Sequence, residues 1–157
     1  MTLLIAIRGN LLKGGYCLIL SLDSKASLGA KGRAFVLAPG TYVYCGSALN
    51  SLNARMERHI RNFSGGQIKR FWHIDYLLPR SKRLTIVKAA TNSNIECNMV
   101  SILTNKGLKP IHGFGNSDCR SECGGHLLLS EDSFTSTVRL VLTTFAELDL
   151  ISDISVV

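Results

Sequence analysis

The sequence predicts a small α/β (α+β) domain, with a mixed or antiparallel central sheet flanked by helices. Three observations carry this reading: short runs of period-two alternation cut by Gly and Pro, longer runs of 3.6-residue apolar periodicity between them, and apolar content sufficient for one core. The chain has 157 residues, 46% apolar and 18% charged, which suits one folded domain and excludes a disordered tail protein. A single domain over 1–157 is expected, with its core at about 13–130 and a C-terminal helix and tail over 131–157.

The first strand is read at 15–22, where Tyr16, Leu18, Leu20 and Leu22 alternate with Cys17, Ile19 and Ser21, so both faces are apolar. Residues 23–33 hold Gly29, Gly32 and three cations and read as a turn region. Two short strands follow at 34–37 and 41–45, split by Pro39-Gly40. The period then changes. Leu49, Leu52, Met56, Ile60 and Phe63 fall within about 80° of arc at 100° per residue, which predicts a helix capped by Asn50 or Ser51. On that helix Arg55, Arg58 and Asn62 are expected on the opposite side, with His59 between the two faces, one turn beyond Arg55.

Residues 71–78 are ambiguous by period and closed by Pro79; Trp72, His73, Asp75 and Tyr76 there suggest a core ring joined by a His–Asp hydrogen bond. A β-branched strand is expected at 84–90 and a helix at 94–105, ended by Gly107 and Pro110. A Gly-rich loop over 113–125, a strand at 126–130 and a helix at 133–148 complete the chain.

Charge narrows the function. Eighteen Lys and Arg against eleven Asp and Glu give a net +7, and eight of those cations lie within 53–83, against two carboxylates. A polyanionic partner follows, nucleic acid before membrane surface, with Arg58, Arg61, Lys69 and Arg70 as the phosphate-contacting residues. The opening apolar run, residues 3–7, is stopped by Arg8, so no membrane span is expected and a cytoplasmic location is the default. Binding dominated by phosphate contacts from residues 55–83, with little base readout, is the expected mode, because the cations cluster there while only Phe71 and Trp72 offer stacking surfaces nearby.

The odd count of five cysteines suits a reducing compartment, where they act as thiols or metal ligands. Cys119, Cys123 and His126 have ligand-like spacing, and with Cys97 they can form a Cys₃His zinc site tying the second long helix to the Gly-rich loop. Cys17 and Cys45 read as core thiols.

Gly14-Gly15-Tyr16 at the head of one strand, Tyr44-Cys45-Gly46 at the end of another, and a following helix with Arg55 and His59 resemble the core of the GIY-YIG nuclease superfamily. The blocks 42–48, Arg58-His59, 72–76, Glu96-Cys97, and 113–115 followed by 117–119 resemble its uncharacterised, mainly archaeal branch, the domain of unknown function 123. The resemblance implies a GIY-YIG-type endonuclease, a divalent-metal-dependent phosphodiesterase. Tyr16 would lie near the attacking water, Arg55 on the scissile phosphate and Glu96 on Mg²⁺ or Mn²⁺, with Tyr44 in support and His59 where many relatives have Tyr. The implied partner is nucleic acid, DNA before RNA. A guanidinium fork and a hard cation both suit the charge that gathers in a phosphodiester transition state. Two departures accompany the match: Ser47 stands where some nucleases have Lys, and the stretch between the motif tyrosines is longer than in compact relatives. A non-catalytic nucleic-acid-binding module and a zinc-stapled structural domain stay open as alternatives.

Overall fold

The computed structural model describes residues 12–115 and 123–157. Its centre is a six-stranded antiparallel sheet formed by β1 (Gly14–Leu22), β4 (Gly40–Ala48), β5 (Arg83–Ala90), β6 (Lys109–Pro110), β7 (Leu127–Ser130) and β8 (Asp153–Val156), in the order β6-β7-β4-β1-β5-β8. A separate two-stranded sheet pairs β2 (Ala26–Ala30) with β3 (Arg33–Leu37). The helices are α1 (Leu52–Phe63), α2 (His73–Leu77), α3 (Glu96–Asn105) and α4 (Phe134–Glu147), with a 3₁₀ turn at Leu78–Arg80.

β1 is central and buried on both faces, as its two-sided apolar pattern requires. Tyr16, Leu18, Leu20 and Leu22 face a core completed by Leu52 and Met56 of α1, Ile74 and Leu77 of α2, and Leu28 and Phe35 of the β2–β3 hairpin. Cys17 and Ile19 face the other layer, where Met99 and Leu103 of α3 meet Val141 and Phe145 of α4. Cys17 is register-paired with Cys45, their sulfurs 3.8 Å apart and fully buried, so both are core thiols.

The region expected as a turn at 23–33 instead contains β2 and a tight two-residue turn. Ala26, Leu28 and Ala30 are buried and alternate with exposed Ser27 and Gly29, so a period-two strand is built from residues of low strand propensity. The ambiguous stretch after Phe71 resolves into α2 and its 3₁₀ extension.

α1 is capped by Ser51, whose hydroxyl accepts from the Ala54 N–H at 3.2 Å. Its buried stripe runs Leu52, Met56, His59 and Asn62. Asn62 thus points inward rather than to the polar side, because its amide donates to the Asp75 carbonyl at 3.0 Å across the α1–α2 contact. The expected His73–Asp75 bond is replaced by Arg58–Asp75, a bidentate pair at 2.6 and 2.8 Å. Asp75 also accepts the Phe71 and Trp72 N–H groups at 2.8 and 2.9 Å. Burial alone would raise the Asp75 carboxyl; the Arg58 hydrogen bonds and these two backbone donors outweigh it and hold the group below its ordinary range. No helix among the described residues is long and apolar enough to cross a membrane.

Candidate functional site

Four elements converge on one cleft of about 300 Å³. β1 contributes Tyr16, β4 contributes Tyr44, Gly46 and Ser47, α1 contributes Arg55, and the first residue of α3 contributes Glu96. The register explains the tyrosines: Tyr16 lies opposite Gly46 and Tyr44 opposite Leu18, so the two rings are diagonal neighbours on one face, with centroids 6.5 Å apart. Gly46 makes room for this, since a Cβ there would come within 2.5 Å of the Tyr16 hydroxyl.

Behind Tyr16 lies His59, fully buried, its Nε2 2.9 Å from the phenol oxygen. Burial pushes the Tyr16 hydroxyl up to about 12, against a partial downward pull from Arg55. Tyr44 is likewise raised by burial and then by its neighbours Tyr16 and Glu96. Burial, reinforced by the Arg55 cation, pushes His59 down to about 3. The imidazole is therefore neutral throughout the physiological range, and a titration near 6.5, natural for a free histidine, is not available to this site.

The shift has a measurable consequence for stability. Below pH 6.5 the unfolded chain takes up a proton at residue 59 that the folded chain refuses until about pH 3, so stability falls as the pH drops through that window. The loss by pH 4 is on the order of 3 kcal/mol. Urea midpoints at pH 7 and pH 4 should lie much closer together in His59→Gln than in the parent protein; an identical pH dependence in both would count against a neutral buried His59.

Arg55 is held in place without a carboxylate. Its Nη1 donates to the Ser47 carbonyl at 3.2 Å, and its guanidinium lies 4.3 Å from the centre of the Trp72 ring. Among the described residues neither Arg55 nor Glu96 forms an ion pair. Among the described residues, Glu96 is the carboxylate that lines the cleft. The cleft thus brings a guanidinium and a carboxylate, neither ion-paired among the described residues, together beside a phenol–imidazole pair.

The other basic residues singled out in the sequence sit elsewhere. Arg58, Arg61 and Lys69 line a shallower groove along α1, where Arg58 is engaged by Asp75 and the other two are exposed. Arg70 stacks on Tyr76 at 5.3 Å. The cleft also contains residues that the sequence did not single out for it. Lys31 arrives from the β2–β3 turn, and His73 from α2, its Nδ1 accepting the Gly115 N–H at 2.8 Å. That bond fixes the proton of the neutral ring on Nε2, which is buried without a hydrogen-bond partner among the described residues.

A second cluster adjoins the cleft. The Cys97 and Cys123 sulfurs are 3.4 Å apart, and the His126 Nε2 is 3.7 Å from the first and 3.1 Å from the second. All three donor atoms lie within 4.8 Å of one another, so the cluster can hold a metal ion. Cys119 lies outside the described residues. Cys97 follows Glu96 directly, and His126 lines the cleft, so cluster and cleft share a wall. A larger cavity of about 540 Å³ lies along α3 beside Cys97 and Cys123, but among the described residues its lining holds Asn, Ser and Thr and no Lys, Arg, Asp or Glu. The charged residues converge in the smaller cleft.

No curated protein and no solved structure matches the chain. A family model described as "Domain of unknown function DUF123" matches residues 15–148, a span that includes every residue of the cleft and the cluster described above. The chain therefore belongs to the DUF123 family.

Proposed function

We propose that the protein is a divalent-metal-dependent phosphodiesterase of the GIY-YIG type acting on nucleic acid, DNA before RNA. The observation that carries this reading is the convergence of Tyr16, Tyr44, Arg55 and Glu96, drawn from four elements, on one cleft. A phosphodiester substrate brings negative charge, and the guanidinium of Arg55, without an ion pair among the described residues, is a bidentate donor for its non-bridging oxygens. Glu96 fits a hard cation: it is one carboxylate without an ion-pair partner among the described residues, facing a cleft with room for water and phosphate oxygens. When bound there, Mg²⁺ or Mn²⁺ would supply Lewis-acid stabilisation of the phosphoryl oxygens. Tyr16 orients the attacking water through its phenol oxygen. With its hydroxyl near 12 and His59 near 3, neither is ionised at neutral pH, and their hydrogen bond fixes the ring instead of storing a charge. Tyr44 and Trp72 wall the cleft, Trp72 holding Arg55 by a cation–π contact.

The test is cleavage of end-labelled single-stranded, duplex, flap and branched DNA with Mg²⁺ or Mn²⁺. Arg55→Ala should lower the rate by about 10²–10³, the cost of removing one preorganised donor to a developing oxyanion, and should also weaken binding. Binding with no cleavage under any divalent metal would replace this reading by a binding module.

For the second cluster we propose Zn²⁺ held by Cys97, Cys123 and His126 as a structural staple. Metal–sulfur bonds of about 2.3 Å and metal–nitrogen bonds of about 2.0 Å in a tetrahedron place donor atoms about 3.5–3.8 Å apart. The observed separations of 3.1 to 3.7 Å are close to that geometry. Soft sulfur donors favour zinc over the hard cation suited to Glu96.

A further inference from the structure

The turn joining β2 to β3 carries a local backbone cost that its fold role does not require. Ala30 pairs with Arg33, leaving Lys31 and Gly32 as a two-residue loop with φ of 51° and 73°. Two successive left-handed residues define the hairpin turn that favours Asn-Gly or Asp-Gly, because a short polar side chain tolerates the first position and a long aliphatic stem does not. Lysine stands there instead. Its side chain lines the cleft, and its ammonium lies 4.4 Å from the centre of the Phe71 ring. Among the described residues Lys31 forms no ion pair.

Phe71 is itself anomalous, a large aromatic left 56% exposed beside a charged cleft. Its neighbour Trp72 has the Arg55 and Arg58 guanidiniums 4.3 and 4.6 Å from its ring centre, so that ring is already engaged. Phe71 meets the Trp72 ring in a T-shaped contact, centroids 5.5 Å apart, and carries one exposed ammonium in place of two guanidiniums, so of the two aromatics it is the one that can offer a face to a ligand. A lysine over an exposed ring is weakly held, and its ammonium exchanges readily for a phosphate. Lys31 also places a cation at the cleft where Ser47 offers none.

We propose that Lys31 and Phe71 form a nucleotide subsite at the rim of the cleft, the ammonium taking a backbone phosphate and the exposed ring stacking an unpaired base. This rests on the phosphodiesterase reading of the cleft and adds the substrate class. A base inside a duplex has both faces covered by its neighbours, so the strand entering the cleft carries an unpaired nucleotide next to the bond.

The experiment measures anisotropy of a labelled DNA single strand of about 12 nucleotides, and of the same sequence as a duplex, across a salt series without divalent metal. The parent protein should prefer the single strand. Phe71→Leu should lose roughly tenfold affinity for the single strand with little change for the duplex, and Phe71→Tyr should restore it. Lys31→Asn relieves the turn, so it should melt at a higher temperature than the parent, yet its plot of log affinity against log salt should flatten by about 0.7. A merely structural lysine cannot give that combination. If both variants bind the single strand like the parent while Arg55→Ala does not, the subsite is wrong and the cleft reading stands; loss in only one of the two also overturns a shared subsite. A parent protein that binds neither form overturns both.

Discussion

Glu96→Gln is expected to lower DNA cleavage by about three orders of magnitude while binding becomes slightly tighter. Gln keeps the length and planarity of the side chain but removes the charge that holds a hard cation, and the stabilisation lost is several kcal/mol of transition-state energy, each 1.36 kcal/mol being about a factor of ten. Affinity moves the other way because deleting a carboxylate from a cleft that receives a polyanion removes a repulsion. Glu96 is also the first residue of α3, so its charge favours the positive end of that helix, and the variant should be destabilised by about 0.3–1 kcal/mol. That is too little to account for a thousandfold loss. A thermal melt run beside the cleavage assay separates the two effects. Cleavage that survives intact in Glu96→Gln removes the cation from this carboxylate, the one that lines the cleft among the described residues.

The elements that build this site differ in how openly the sequence declares them. β1, β4, α1, α3 and α4 are legible as elements from their apolar runs and the turn residues that flank them, but the buried stripe of α1 takes in His59 and Asn62 and leaves Leu49 exposed, because contacts across the fold and not periodicity decide it. β2 is hidden because Ala, Ser and Gly carry little hydrophobic contrast; its burial comes from the hairpin packing on α2 and the sheet. β8 is exposed at every position and joins the sheet through backbone pairing with β5, so no side-chain pattern marks it. Within the site, Tyr16, Tyr44, Arg55 and Glu96 are legible through ordered motifs. Lys31 is not, because it reaches the cleft only through the register of a hairpin whose first strand is itself hidden.

The protonation chemistry was the least legible part. Position on a helix places His59 near Arg55, but the full burial that drives its titration to about 3 arises from β1 packing across it. Asp75 shows the same limit. Its partner is decided by α1, where Arg58 presents a guanidinium fork from 17 residues away, and not by the nearby His73. The result is a division of labour among basic residues that composition cannot resolve: Arg58 fastens α2, Arg55 stands at the cleft with no ion pair among the described residues, and Arg61 and Lys69 remain on the surface.

Removal of the metal from Cys97, Cys123 and His126 is expected to lower the melting temperature by about 10 °C. The ligands join the start of α3 to the segment before β7 across 26 residues of sequence, and a metal that binds only the folded chain stabilises it by mass action, about 4 kcal/mol at a thousandfold excess over its dissociation constant. In a chain of this size each kcal/mol corresponds to about 2–4 °C. The parent protein should carry about one zinc per chain by elemental analysis, Cys97→Ser should carry less and melt lower, and a chelator should shift the parent but leave the variant unchanged. Reductant distinguishes this from a Cys97–Cys123 disulfide, which it would cleave without releasing any metal. Because Glu96 precedes Cys97 and His126 lines the cleft, loss of zinc should also slow cleavage at saturating Mg²⁺, with Lys31 and Arg55 still holding the strand. Protein free of zinc, with an unchanged melt in chelator, would return the three side chains to ordinary packing between α3 and β7.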